Sequence, residues 1–183
     1  MVVNSVPSSG RVPGQSSIMM LDGWTWEDAT LKHPAALNIN WPRMYFDYGK
    51  NTKKDEKKQR DEYDEKIREL NKLILNVRAY HHRKNAKERK AENKQQSDLR
   101  LEAMIPFIIY SEPIHIKAND IRQIEAAVKW ARKENLNIVI VGGRDSWINP
   151  KLLVDNNVPI ILLGVRVGPR RRFEPIHTPY KLP

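Results

Sequence analysis

The chain contains no cysteine, and glycine is scarce, with 8 among 183 residues. The absence of cysteine excludes a disulfide framework, a thiolate metal site and a cysteine nucleophile. No apolar stretch approaches the roughly 18 residues of a membrane-spanning helix. The first ten residues, MVVNSVPSSG, lack the basic and apolar regions of a secretory signal and resemble the interior of a longer gene product. A membrane location is therefore not expected, and the sequence leaves the compartment open.

Three apolar runs separated by helical patterns occupy residues 113–165. The runs are PIHIKA, LNIVIVGG and VPIILLGV, and the segments between them are NDIRQIEAAVKWARKEN and RDSWINPKLLVDNN. This alternation is typical of consecutive parallel βα units. Because 183 residues are few for an eight-fold barrel of about 250, we expect an α/β fold with a partial (β/α) barrel of parallel strands. Further strands would come from elsewhere in the chain or from a larger protein.

The segment after the first apolar run carries the start signal of a helix. Asp120 is followed three residues later by Gln123, which is the spacing of a capping box. Ile121, Ile124 and Val128 recur at helical spacing. This helix is predicted to bury one apolar face against the strands.

Composition divides the chain into three parts. Residues 1–48 hold three tryptophans and several prolines, which indicates loops and short elements of the barrel domain, with a helix start near Trp26. Residues 49–104 form a charged helical segment, and residues 105–183 carry the βα units. The predicted order is therefore loop-rich part, helical part and barrel strands.

Basic charge is concentrated in the helical part. Residues 50–100 contain 17 Lys and Arg against 10 Asp and Glu, a net +7 within the chain's +10. No proline or glycine occurs from residue 51 to residue 105. Apolar side chains recur there in steps of four and three, at Tyr63, Ile67, Leu70, Ile74 and Val77. This pattern predicts one long amphipathic helix, or two helices joined near residues 81–86.

Two interpretations of this charge are open. Its lysines and arginines, together with Arg170 to Arg172 in GPRRRF, could make the chain a basic module that binds nucleic acid or another polyanion. Interspersed acids such as Asp61 and Glu65 would repel phosphate, which favours a solvated helix face instead. The arginine run is more typical of a surface loop than of an anion-binding patch.

A functional site is expected where the parallel strands end, because ligands gather at the carboxyl ends of such strands. The corresponding positions are Lys117, Gly142 to Asp145, and Gly164 to Arg166. The histidines do not supply a metal site: His81 and His82 are adjacent and point in different directions on a helix. The other histidines, at positions 33, 115 and 177, are scattered along the chain.

Lys117 is the strongest single candidate for a catalytic role. Strand alternation places His115 and Lys117 on the face opposite Ile114 and Ile116. The lysine could orient an anionic substrate or act as a base. The structural alternative is an ion pair with a neighbouring acid such as Asp145 or Glu112. His115, a lone histidine in a strand, is more typical of a satisfied core residue than of a ligand.

Several strings occur in a distinctive order. They are SGRVPGQSSIMMLDGWTWEDATLKHPAAL, INWP, LEAMIPF, the run from PIHIKANDIRQIEAAV to VGGRDSW, and VPIILLGV followed by PRRR and PY. Together they resemble the middle of a bacterial amidohydrolase, of the imidazolonepropionase-like branch of the metal-dependent hydrolases. The resemblance implies a β/α barrel flanked by a small β-sandwich. It also implies hydrolysis of carbon–nitrogen bonds other than peptide bonds, in small amides or cyclic amides, with zinc or another divalent metal activating water.

The family's metal ligands are largely missing from this chain. It has no His-x-His pair and ends before an eighth strand could supply an aspartate. The histidines that the resemblance implies at the ends of the fifth and sixth strands correspond to Lys117 and Gly142, and neither residue can replace a neutral imidazole. A lysine can bind metal when it is carboxylated, and the family uses such a lysine, but on another strand. We therefore expect no metal or cofactor site in this chain and a catalytically inactive fragment, although the complete family member would bind metal. Uncovered strand edges and apolar faces favour self-association of such a fragment.

Overall fold

The computed structural model describes residues 1–44, 55–88 and 97–163 of the chain. The described residues before Pro42 and after Glu112 form one compact unit, which is built on a sheet. The described residues from Pro42 to Glu112 form a second unit, which is helical. In the sequence, the helical unit therefore lies between the third and fourth strands of the sheet.

A six-stranded sheet organises the first unit, with its strands in the order of the sequence. They are β1 (Val2–Ser5), β2 (Gly14–Met20), β3 (Thr30–Asn40), β4 (Ile114–Ala118), β5 (Ile138–Gly142) and β6 (Ile160–Leu162). β1 to β3 pair antiparallel, and β3 to β6 pair parallel. The sheet curls into half of a barrel. This confirms the predicted α/β class and partial (β/α) barrel.

The helices of the described residues connect and flank these strands. They are α1 (Trp26–Ala29), α2 (Glu56–Glu88), α3 (Leu99–Ile108), α4 (Ile121–Lys133) and α5 (Pro150–Asp155), with a 3-10 turn at Ser146–Ile148. None of them is long and apolar enough to cross a membrane.

Helix α4 follows the prediction closely. Asp120 caps its first turn, and Gln123 completes the capping box by accepting from the Asp120 backbone N–H. The helix packs on β4 and β5 and buries Ile124, Ala127 and Val128. An amphipathic helix laid on parallel strands removes apolar surface from water on both partners, which stabilises the sheet unit.

The first part of the chain contains more strand than the predicted loops and short elements. β3 is an eleven-residue strand that pairs antiparallel with β2 and parallel with β4. Lys32, His33 and Pro34 break the apolar pattern in its first half, and residues 35–39 are buried. β3 thereby supplies a fourth parallel strand that the three predicted apolar runs did not include. The predicted helix start near Trp26 is confirmed by α1.

In the helical unit, α2 is one helix that continues through residues 81–86. Leu70, Ile74 and Val77 of the predicted apolar seam are buried, and α2 packs against α3. The seam residues nearer the start of the helix, Tyr63 and Ile67, keep partial exposure. α2 is therefore one helix along the predicted seam, and a second helix, α3, begins at Leu99 instead of near residues 81–86.

Candidate functional site

The carboxyl ends of the parallel strands bring several polar residues into neighbouring positions. Register places Asn40 beside Lys117, and one layer below it places Asn38 beside His115. Alternation puts these four residues on one face, because Ile114 and Ile116 of β4 are buried on the side that α4 covers. We call the face that carries Asn38, Asn40, His115 and Lys117 the inner face. On β5, Val139 and Val141 pair with His115 and Lys117, so apolar side chains also lie on this face.

Lys117 is exposed on the inner face near the end of β4. Among the described residues, no carboxylate forms an ion pair with its ammonium group. Asp145, one of the predicted structural partners, instead accepts from the Ile121 backbone N–H at 3.3 Å and from Arg144 Nε at 3.2 Å. An ion pair between Lys117 and Asp145 is therefore not present.

His115 is half-buried on the inner face. Burial lowers the pKa of its imidazole, because desolvation disfavours the charged form. Within the described part of the chain, its side chain has no hydrogen-bond partner. The interpretation of His115 as a satisfied core residue stays a prediction. A neutral imidazole lies two residues before the lysine.

Asn38 and Asn40 were not predicted as site residues. Asn38 Nδ2 donates to the Gly14 carbonyl at 3.1 Å, and Asn40 Nδ2 donates to the Gly10 carbonyl at 2.7 Å. These bonds hold both carboxamides against the segment that leads into β2. The sequence signal was the alternation in LNIN, which places two amides on the same face of one strand.

The segment after β5 approaches the segment after β4 closely. Gly143 N–H donates to the Ala118 carbonyl at 2.8 Å, and Asp145 N–H donates to the Asn119 carbonyl at 3.0 Å. The Asp145 carboxylate, 2% exposed, also accepts from the first turn of α4. We call this set of bonds the loop clasp. It ties the two strand ends together and satisfies the first N–H of α4, that of Ile121.

Gly142 has a backbone conformation that other residues rarely adopt, with φ of +105°. A β-carbon at this position would collide with Asn119 Oδ1 and lie 3.1 Å from the Ala118 carbonyl oxygen. The backbone conformation therefore disfavours a side chain at this position, and a β-carbon would also require the Asn119 side chain to move.

The described residues at the strand ends do not fit a metal ion. Lys117 presents an ammonium group, which has no lone pair, and Gly142 has no side chain and no space for one. Across residues 1–44, 55–88 and 97–163, no group of three or more His, Asp or Glu side chains is placed to hold a metal. His33 lies elsewhere and hydrogen-bonds Ser17 at 2.8 Å.

The basic residues of the helical unit are partly engaged by acids. Ion pairs join Arg60 to Glu56, Arg68 to Glu65, and Lys84 to Glu102. Hydrogen bonds from Lys84 and Tyr80 lower the pKa of Glu102, so this carboxylate is ionised at neutral pH. Such pairing is what a solvated face with interleaved charges requires. Gly164 to Arg166, Arg170 to Arg172 and His177 lie outside the described residues.

Comparison with known proteins agrees with the half-barrel architecture. No family model matches the chain, and no curated protein matches it either. Among solved structures, it is similar to the crystal structure of an amidohydrolase from Thermotoga maritima, with a TM-score of 0.75 and 18% sequence identity. The match covers 93% of this chain and 44% of that chain. The described fold is thus amidohydrolase-like, and the chain spans less than half the length of that protein.

Proposed function

We propose that this chain is the central part of a bacterial amidohydrolase-type protein of the imidazolonepropionase-like branch. The whole protein would hydrolyse carbon–nitrogen bonds other than peptide bonds, in small amides or cyclic amides. In this proposal the described half barrel contributes scaffold and a substrate-anchoring lysine, and it contributes no metal ligands. The fold similarity and the strings from SGRVPGQSS to VPIILLGV support the proposal.

The proposed role of this half barrel rests on one observation, the exposed ammonium group of Lys117. It lies near the carboxyl end of a parallel strand, where ligands bind in such sheets, and no described acid neutralises it. An ammonium group donates to the carbonyl oxygen of an amide or to a substrate carboxylate. The neutral imidazole of His115 on the same face accepts a hydrogen bond from a substrate N–H. Together the two residues would bind and orient a polar ligand.

The isolated chain is proposed to be inactive. Hydrolysis of an unactivated amide needs an activated water, and the described donors do not fit the metal that supplies it in complete family members. A divalent ion would have to be held by residues other than the described ones. In this proposal the described half barrel binds the substrate, and another part of the protein activates the water.

Two measurements test the proposal. The 183-residue chain is assayed with N-acylamino acids, lactams and cyclic imides, with and without zinc, manganese or cobalt, and no turnover above background is expected. In the longest translated product that contains the chain, Lys117→Met should lower kcat/KM at least about tenfold, mainly by raising KM.

The matched control is Lys129→Met, at an exposed lysine of α4 on the opposite side of the sheet. It should leave the kinetic constants unchanged. Metal-dependent turnover by the 183-residue chain would contradict the proposed inactivity. Unchanged kinetics in Lys117→Met would contradict the anchoring role.

A further inference from the structure

The backbone of Asn119 is held from both sides at the carboxyl end of β4. Its N–H donates to Gln123 Oε1 at 3.3 Å, and its carbonyl accepts from the Asp145 N–H at 3.0 Å. The first bond belongs to the start of α4 and the second to the loop clasp. The backbone of Asn119 is therefore held by the first turn of α4 and by the loop clasp.

The side chain of Asn119 occupies the space over Gly142. A β-carbon on that glycine would meet Asn119 Oδ1 in a collision and Asn119 Cγ at 3.0 Å. The residue is half-buried. Its carboxamide has no hydrogen-bond partner among the described residues. A fixed backbone thus presents an unpaired amide at the end of β5, where that strand has no side chain of its own.

We propose that Asn119 and Lys117 together form a metal-independent binding point for a carboxylate or amide oxygen of the ligand. This inference rests on the proposed function, since it names the second residue of the same site. The ammonium group of Lys117 offers three N–H donors, and the carboxamide of Asn119 offers two. A half-turn of the carboxamide exchanges its oxygen and nitrogen, so either atom can face the ligand. No bond is made or broken in this role.

The competing explanation for Asn119 is purely structural. Its side chain could fill the gap that Gly142 leaves and contribute to packing alone. Both explanations predict some loss of stability when the side chain is removed, so stability does not separate them. A direct contact between the ligand and the Asn119 carboxamide separates the two explanations, because only the binding role predicts it.

The side-chain amide signals of Asn119 in a ¹⁵N-labelled 183-residue chain provide a direct readout. The signals are assigned by their absence in Asn119→Asp. The probe is N-acetylglycine, which carries one carboxylate and one amide. Titration is expected to shift the Asn119 amide signals, and Asn119→Ala should weaken binding about tenfold, as expected when a hydrogen bond to a charged group is lost. Lys117→Met should weaken binding at least as much.

Matched controls keep the outcomes separate. Asn4→Ala on the exposed strand β1 and Lys129→Met on α4 should bind the probe like the wild-type chain. Probe binding that depends on Lys117 but is unchanged in Asn119→Ala, without a shift of the Asn119 signals, would overturn the role of Asn119 and leave the proposed function standing. Binding that is unaffected by Lys117→Met, or no binding at all, would overturn both.

Discussion

Lys117 and His115 lie two residues apart on β4 and face the same side of the sheet, but their surroundings differ. The lysine is exposed near the strand end, whereas the histidine is half-buried beside Asn38. Burial lowers the pKa of His115, so its imidazole is a neutral acceptor next to a cationic donor. Under the proposed function, a ligand that offers both an N–H group and an oxygen would match this pair.

Replacing His115 with glutamine should flatten the dependence of stability on pH below neutrality. The pKa of His115 in the folded chain is lower than its ordinary value of 6.5, so the unfolded chain binds this proton more readily. The stability contribution is therefore fully present above about pH 6.5 and is lost as the pH falls toward the folded-state pKa. Urea unfolding at about pH 7.5 and about pH 5.5 measures the difference. Parallel losses in the two proteins would show that folding does not depress this pKa.

Gly142→Ala should destabilise the chain by about 2–4 kcal/mol, because it adds a strained backbone conformation and a collision with Asn119. Gly10→Ala is the matched control. Gly10 also has a positive φ, of +87°, but a β-carbon there would meet nothing within 4 Å, so the loss should be about 1 kcal/mol. Chemical unfolding gives both values. Equal losses would mean that the Asn119 side chain moves away without resistance.

At the scale of elements, the sequence pattern and the observed hydrogen bonds agree most closely at the start of α4. Asp120 is 4% exposed and accepts from the Arg122 backbone N–H at 3.0 Å. The Asp145 carboxylate accepts from the N–H one residue earlier in the same turn, that of Ile121. Two carboxylates from different segments thus accept hydrogen bonds from the backbone N–H groups of the first turn. The helix dipole also favours negative charge there.

Asp120→Ala should lower the free energy of unfolding by about 1–2 kcal/mol, the upper range for losing an N-cap, because the capped turn is buried. The contribution of the Arg122 side chain should be small, since that side chain is 52% exposed. Asp98→Ala removes the N-cap of α3. The Asp98 side chain is 35% exposed, so this variant should lose less free energy of unfolding. Urea unfolding compares the two variants. A larger loss in Asp98→Ala would contradict the role assigned to burial.

The sequence was informative where one pattern dominated a segment. The capping box and spacing of α4, the apolar runs of β4 and β5, and the uninterrupted α2 were all predictable for that reason. β3 was not, because Lys32, His33 and Pro34 lie in its first half and its pairing with β4 joins positions far apart in the chain. Of the site, the sequence pointed to Lys117 and to the segment from Gly142 to Asp145. Asn119 becomes a candidate only when the backbone of Gly142 is seen beside it.

At the scale of the whole molecule, apolar side chains are exposed around the turn between β2 and β3. Trp24 is 99% exposed and Trp26 is 69% exposed, and Leu21 and Leu31 are exposed beside them in the sequence. Exposed apolar groups of this size favour association with another surface. In a protein longer than this chain, further chain could cover them.

The double variant Trp24→Ser/Trp26→Ser should reduce self-association of the 183-residue chain, because it removes two large apolar side chains from the surface. Sedimentation velocity at matched concentrations should show a larger monomer fraction than for the wild type. Val154→Ser in α5, where the valine is 76% exposed, serves as control and should change little. A wild-type chain that is already fully monomeric, with a cooperative melt, would contradict the prediction.

The parallel pairing of β3 with β4 has a consequence for how this protein could be shortened. Because the strands are parallel, the chain leaves the sheet at one edge after Trp41 and must re-enter it at the opposite edge before Ile114. A tight turn cannot close that path, which needs about a dozen residues. A single crossover helix should therefore be long enough to close this path in a redesigned protein, whereas a direct splice of β3 to β4 would not permit their parallel pairing.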